Sequence, residues 1–175
     1  MERPLGGRRR NETVALPGWI KPQLTRLVDQ APEGPDWLHE IKFDGYRMHA
    51  RLDRGAVRLL TRTGLDWTHK YPAIAAAVTS LPARQAYLDG ELCGVRPDGT
   101  TSFSLIQNAS DTGNSGALVS FLFDLLHLDG EAIAPMPVTE RKERLAPCCR
   151  APARRSISAI TISGTGDPST ITPAP

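Results

Sequence analysis

Six consecutive residues, Lys42-Phe43-Asp44-Gly45-Tyr46-Arg47, put an amine, a carboxylate and a guanidinium within one short segment, spaced by aromatic rings and a glycine. A lysine amine attacks an electrophile only when neutral, and its reference pKa of about 10.4 leaves it protonated in water at neutral pH. Apolar neighbours that desolvate it, here Ile41 and Phe43, or a nearby divalent cation, lower that pKa and make the amine a nucleophile. Gly45 permits close approach of backbone to a bulky ligand, and Arg47, on the polar face of an alternating strand, suits phosphate or ribose. Taken alone, the same six residues fit an exposed hairpin lysine beside an Asp-Gly turn.

Three other groups bear on that choice. Asp89-Gly90-Glu91 sits inside the apolar run YLDGELCGV, where two carboxylates are expected to face a ligand or a metal. Phe121-Leu122-Phe123-Asp124 sets an aromatic ring beside a charge in the most apolar run of the chain, although Asp124 by itself fits equally a pairing with a buried arginine. Thr61-Arg62-Thr63-Gly64 offers a guanidinium and hydroxyls at a strand end, as phosphate binding requires.

The elements that must carry these residues follow from periodicity. A short strand is expected over 37–42. Tyr46, Met48, Ala50 and Leu52 alternate with Arg47, His49 and Arg51 in a half-buried strand, which Asp53-Arg54-Gly55 turns into a second strand over 56–61. Tyr71-Pro72 opens a helix that ends near Leu81-Pro82, a strand runs through 86–95, Ser102 caps a short helix over 103–108, and 111–116 is a polar loop. The strand over 118–126 lies mid-sheet and ends at Asp129-Gly130, and TERKERLA forms a final helix that Pro147 stops. Ahead of all this, 1–15 reads as a disordered basic leader, and 16–35 as a proline-rich approach with one helix near 23–29. The class is α+β, a mainly antiparallel sheet with flanking helices.

With 175 residues the chain has room for one ordinary domain. Its 40% apolar and 23% charged residues are those of a soluble globular protein, and a net charge of +2 neither requires nor excludes a polyanionic partner. No run approaches the roughly eighteen apolar residues of a membrane span, so a cytoplasmic location and no membrane partner are expected. Cys93, Cys148 and Cys149 form neither a C-x-x-C pair nor a disulfide framework, and read as buried or incidental thiols.

In their order and spacing, EIKFDGYR, LLTRTGLDWT, YLDGEL and FLFDLLHLDG resemble the successive nucleotidyltransferase motifs of ATP-dependent DNA ligases, with an ATP-grasp-like adenylation domain. The likeness is strongest to the ligase domain of bacterial end-joining ligases, and it covers 16–146, including the lead-in Leu16 to Leu24. The resemblance implies that Lys42 attacks the α-phosphate of ATP and becomes adenylated. It implies that Glu40 and the backbone of Ile41 read the adenine, Phe123 stacks on its face, Glu91 holds the ribose, Arg47 the ribose and the nick phosphate, and Arg62 a phosphate. Asp44, with Glu91, would place magnesium or manganese. The implied partners are nicked or broken duplex DNA and end-joining proteins.

The family pattern also includes an EGxVxK motif, a K-x-K pair and an oligonucleotide-binding domain, none of which is found in these 175 residues. From 147 to 175 leucine, lysine, glutamate and aromatic residues disappear, as in translation of a GC-rich gene in a shifted frame. The segment is therefore expected to be disordered and the ligase domain partial, weakly active or inactive as it stands. Two other readings remain beside this one: a non-catalytic fragment that binds nucleotide or DNA, and an RNA ligase or capping-type nucleotidyltransferase, which also uses a K-x-D-G lysine.

Overall fold

The computed structural model describes residues 13–112, 118–148, 160–163 and 172–173. Its first hairpin joins β1 (Tyr46–Asp53) to β2 (Ala56–Thr61), with Asp53 opposite Ala56. The two residues between them, Arg54 and Gly55, both have positive φ (50° and 88°), the backbone of a tight turn whose twist matches that of the strands. A 3-10 turn at Thr68–Lys70 leads to α1 (Pro72–Thr79), where Pro72 occupies the first turn, a place that needs no amide donor. β3 (Gln85–Gly94), α2 (Phe103–Thr112) and β4 (Leu118–Leu128) follow. Asp129 and Gly130, again at positive φ, turn β4 into β5 (Glu131–Ala132), and α3 (Val138–Cys148) comes next.

The strand order is β2-β1-β3-β4, with β5 also on β4, and every described pairing is antiparallel. β6 (Ile160–Ser163) continues the sheet beside β4, and β7 (Thr172–Pro173) pairs with β6. Met48, Ala50 and Leu52 of β1 point to one face and meet Ile74 and Val78 of α1, Ile106 of α2 and Leu145 of α3 in one buried core. The helices thus cover that face. The opposite face carries a smaller cluster, Cys93 and Phe121 with Phe43 and Phe123 packed against them.

The α+β, mainly antiparallel expectation therefore stands, and most elements lie within a few residues of where periodicity put them. The lead-in differs. Neither the helix near 23–29 nor the strand over 37–42 forms, and residues 13–44 have no helix or strand. Leu24, Leu27 and Val28 are 67, 97 and 54% exposed, so the 23–29 segment has no apolar surface to pack on, and a helix that short is unstable alone. Trp37, Leu38 and Ile41 are likewise exposed, and 37–42 has no partner strand. In place of secondary structure the lead-in is tied down by single contacts. Val14 N–H donates to Gly130 O (2.7 Å), Arg51 Nε to Pro17 O (2.9 Å), and Ile20 N–H to the Tyr87 hydroxyl (3.0 Å).

Two smaller corrections concern the C-terminal part. α2 runs on to Thr112, into the segment read as a polar loop, and α3 includes Pro147, which lacks the amide that would donate to the carbonyl four residues earlier. The stretch read as disordered from 147 contains the strand β6, paired with β4 from Val119 to Leu122. The leader over 1–12 lies outside the described residues.

Candidate active site

Alternation along β1 sends Arg47, His49 and Arg51 to the face away from the helix-covered core. The β1–β3 register sets Arg47 opposite Glu91 and His49 opposite Asp89. Across β3 and β4, Gly90 pairs with Leu122 and Asp89 with Asp124, which leaves Phe123 unmatched in a bulge. A bulge re-aims the side chain of its extra residue. Gly90 is required at this point, because a Cβ there would lie 2.6 Å from Phe121 O.

Arg47 is held at two points. Its Nε and Nη2 donate to Asp89 Oδ1 and Oδ2, both at 2.6 Å, and its guanidinium lies 4.5 Å from the centre of the Phe123 ring. Beneath the pair, buried His49 brings Nε2 to 3.1 Å from Asp89 Oδ1, an electrostatic contact off the hydrogen-bond line, while its Nδ1 lies 2.9 Å from the Tyr87 hydroxyl. That hydroxyl accepts from Ile20 N–H, so its own proton points to His49 Nδ1, leaving Nε2–H toward Asp89. Burial raises the Asp89 carboxyl, but the contacts and charge of His49 and Arg47 outweigh it and hold the group below the usual carboxylate range. Burial pushes Tyr87 up to about 12, so it remains a phenol. Glu91 goes the other way: burial raises it above an ordinary glutamate despite Arg47, the Gly45 amide and Lys42 nearby.

Lys42 is exposed and lies at the junction of two cavities. One, of about 320 Å³, is lined by Thr25, Glu40, Ile41, Lys42, Phe43, Arg47, Glu91 and Phe123. The other, of about 430 Å³, is more apolar and runs past Phe43 and Phe121, whose rings stack at 4.1 Å. A third cavity of about 420 Å³ shares Arg47 and Glu91 with the first and extends to Arg62, Trp67 and Phe103. Since Ile41 is 52% exposed, the apolar screening of the amine expected from its neighbours is incomplete. Gly45 lines the third cavity and also meets a second constraint. A Cβ there would fall 2.2 Å from Leu92 O, so the glycine lets the lead-in pass against the backbone of β3.

Six of the residues singled out from the sequence, Glu40, Ile41, Lys42, Arg47, Glu91 and Phe123, thus share one cavity, and Arg62 lines the adjoining one. Asp44 is exposed and lines none of the three. Among the described residues no group of three or more His, Cys, Asp or Glu side chains could hold a metal on its own. Asp124 takes the structural role open to it, a two-point pair with Arg141 of α3 at 2.8 and 2.9 Å. Next to it, Lys142 donates to Phe123 O at 2.8 Å and forms an ion pair with Glu40. Sequence reasoning missed His49, Tyr87 and Lys142 as supports of the site. The alternation that placed Arg47 also placed His49, whereas nothing in TERKERLA marked Lys142. Cys93 is buried and its thiol is pushed up to about 12, chiefly by burial, which agrees with an inert thiol.

A family model for the ATP dependent DNA ligase domain matches residues 22–172, and so continues past 146, where the recognisable motifs stop. A multifunctional non-homologous end joining protein LigD from Pseudomonas aeruginosa is 41% identical over 130 residues, covering 74% of this chain and 15% of that protein. A DNA ligase from Pyrobaculum calidifontis is 32% identical over 155 residues, 80% of this chain and 27% of the relative. Among solved structures, the ligase domain of Mycobacterium tuberculosis LigD superposes with a TM-score of 0.58 at 31% identity, over 77% of this chain and 38% of that one. A mycobacterial DNA ligase D complexed with ATP and MES gives 0.55 at 29% identity, over 76% and 38%. The chain therefore spans well under half the length of these relatives.

Proposed function

The chain belongs to the ATP-dependent DNA ligase family, and we propose that the cavity shared by Glu40, Lys42, Arg47, Glu91 and Phe123 is its adenylation site. The observation that carries this reading is the convergence of those five side chains from a lead-in and three separate strands on one cavity of about 320 Å³. The nucleotide lies with its adenine on the Phe123 ring, within reach of Glu40 and the Ile41 backbone, and its ribose toward Glu91 and Arg47. Arg62, in the adjoining cavity, takes a phosphate.

The neutral Lys42 amine attacks the α-phosphorus. A nitrogen–phosphorus bond forms, the bridging oxygen to the β-phosphate leaves with pyrophosphate, and the amine proton passes to solvent. The product is lysyl-AMP. Phosphoryl transfer asks mainly for alignment and charge neutralisation, which Arg47 and Arg62 supply. The residues present fit magnesium only in company with the nucleotide: Glu91 offers one carboxylate from the cavity lining, Asp44 lies outside the three cavities, and such ions commonly take one or two carboxylates plus substrate phosphates. Bound there, the ion would withdraw charge from the phosphates.

The subsequent acceptor is a 5′-phosphate of nicked or broken duplex DNA, and the relatives named for non-homologous end joining support end-joining repair as the setting. The test is incubation with α-labelled ATP and magnesium, denaturation, and mapping of the retained label. It should map to Lys42 and vanish in Lys42→Ala and in Lys42→Arg, whose guanidinium stays protonated. Label that survives these changes would place the nucleophile elsewhere. A chain that binds ATP without ever retaining label would be a binding fragment.

A further inference from the structure

We infer that Lys142 of α3 is a positioning residue that sets base selectivity by joining the base reader to the stacking platform, an inference that rests on the adenylation reading above. Lys142 is 8% exposed, although lysines are almost never buried unless paired. Its ammonium reaches out of the helix to two groups. It donates to the backbone carbonyl of Phe123, the bulged residue whose ring lines the nucleotide cavity, and it pairs with Oε1 of Glu40. One cation thus connects a strand of the sheet to a lead-in segment that has no secondary structure of its own.

That connection matters because little else fixes Glu40. Residues 37–44 have neither helix nor strand, and Trp37, Leu38 and Ile41 around Glu40 are 57, 50 and 52% exposed. A carboxylate on so loosely packed a segment would sample many positions, and a reader that moves discriminates poorly. Lys142 pairs with Oε1, and an ionised carboxylate has several acceptor sites, so Glu40 retains the capacity to accept a further hydrogen bond. The exocyclic amine of adenine donates such a bond. The corresponding oxygen of guanine is an acceptor and would face a negative oxygen with no proton between them. A site built to receive a donor rejects a base that lacks it: Glu40 is exposed in the chain, and a base that covers it without donating takes away its water and gives no bond in return.

The anchor is itself rigid. Arg141, the preceding residue, is clamped to Asp124 by two bonds and donates to Met136 O at 2.7 Å, so α3 is fixed to β4 beside the bulge. Lys142 can therefore transmit the position of β4 to Glu40. Removing its charge should free Glu40 while leaving the Arg141–Asp124 attachment of the helix in place.

The experiment measures equilibrium binding of ATP and of GTP, together with labelling by each, for the parent chain, Lys142→Met, Lys142→Arg and Glu40→Gln. The parent should favour ATP. Lys142→Met should lower the ATP-to-GTP affinity ratio about tenfold or more, with the loss in affinity for ATP rather than in the labelling rate at saturation. Lys142→Arg should retain most of the preference, and Glu40→Gln should lose it with Lys142 intact. If Lys142→Met does not fold, as judged by thermal melting, Glu40→Gln and Lys142→Arg still decide the matter: an unchanged preference in the first, or its complete loss in the second, overturns the inference. A parent ratio preserved in Lys142→Met, or a parent chain that binds both nucleotides equally, also overturns it. Failure of the adenylation reading looks different, since selective ATP binding would then persist without label on Lys42.

Discussion

Arg47 and Asp89 meet diagonally across β1 and β3 in a two-point ion pair, both bonds at 2.6 Å, with the guanidinium also lying over the ring of Phe123. The side chain of Asp89 is 6% exposed and that of Arg47 28%, so the pair sits at the boundary between the sheet and the cavity. Truncating one member of a buried pair leaves the other without compensation, at a cost of about 3 kcal/mol or more. Asp89→Ala should therefore lower the stability of the folded chain by that order in chemical denaturation, and weaken ATP binding because Arg47 loses its orientation. A variant as stable as the parent would mean that Arg47 does not depend on Asp89.

The same pair sets a dependence on acid. The folded Asp89 carboxyl is held below its unfolded value, burial being outweighed by His49 and Arg47. A depressed carboxylate contributes stability that is present above the unfolded pKa, about 3.9, and is lost as pH falls through the lower folded value. Denaturation midpoints should fall for the parent below about pH 4, and Asp89→Asn should remove part of that slope. Glu91 has the opposite sign. Burial raises it, so the folded state holds its proton more tightly than the unfolded state, and stability declines as pH rises from about 4.3 toward the raised value. Glu91→Gln should consequently be more stable than the parent at pH 7 while binding ATP less well, a trade familiar at sites shaped for a ligand. Equal melting temperatures at pH 7 would remove burial as the source of the strain on Glu91.

Gly45 offers a test of the lead-in path. Its Cβ position is blocked by Leu92 O at 2.2 Å, a backbone atom of β3 that cannot swing aside as a side chain would. Overpacking of this kind costs about 1–3 kcal/mol. Gly45→Ala should lower stability by that amount and also displace Lys42, three residues earlier, reducing labelling by ATP. Gly18→Ala, where nothing lies within 4 Å, is the matching control and should leave stability unchanged.

Much of this arrangement was legible in the sequence, and particular residues show why the rest was not. Period-2 alternation located β1 and the polar face that carries Arg47, and the charges of Asp89 and Glu91 inside an apolar strand announced a polar site on the sheet. The lead-in misled because its apolar residues at 24, 27, 28, 37, 38 and 41 imitate elements that bury such side chains, whereas here they stay largely exposed. Local pattern reports a capacity for burial and cannot say whether a partner surface exists. The bulge at Phe123 was invisible for a related reason: it depends on how β4 is matched to β3, not on the residues of β4 alone. Asp124 carried two readings, ligand or structural pair, and only the position of Arg141 on α3 selected the second. In the C-terminal stretch a composition unlike the rest of the chain did not preclude four residues, Ile160–Ser163, from extending the sheet beside β4.

Tyr87 is where the lead-in and the Arg47-bearing face of the sheet become one structure. Its hydroxyl is fully buried, accepts from the amide of Ile20 at 3.0 Å, and stands 2.9 Å from His49 Nδ1, which in turn faces Asp89 and so Arg47. The substitution Tyr87→Phe keeps the ring and its packing but strands the buried His49 nitrogen and takes from the half-buried Ile20 amide its acceptor. Each buried polar atom left without a partner costs about 1–3 kcal/mol. The loss should be unevenly distributed. The sheet core remains intact, while the lead-in loses one of the few bonds that fix it, and Thr25, five residues after Ile20, lines the cavity shared by Glu40 and Lys42. Tyr87→Phe is accordingly expected to show faster amide exchange at Ile20, faster proteolytic cleavage within 24–38, and weaker ATP binding, with exchange in β3 and β4 little altered. Uniform acceleration of exchange across the sheet would show that Tyr87 supports the core as a whole. Unchanged exchange at Ile20 would show that the lead-in is held by its other contacts.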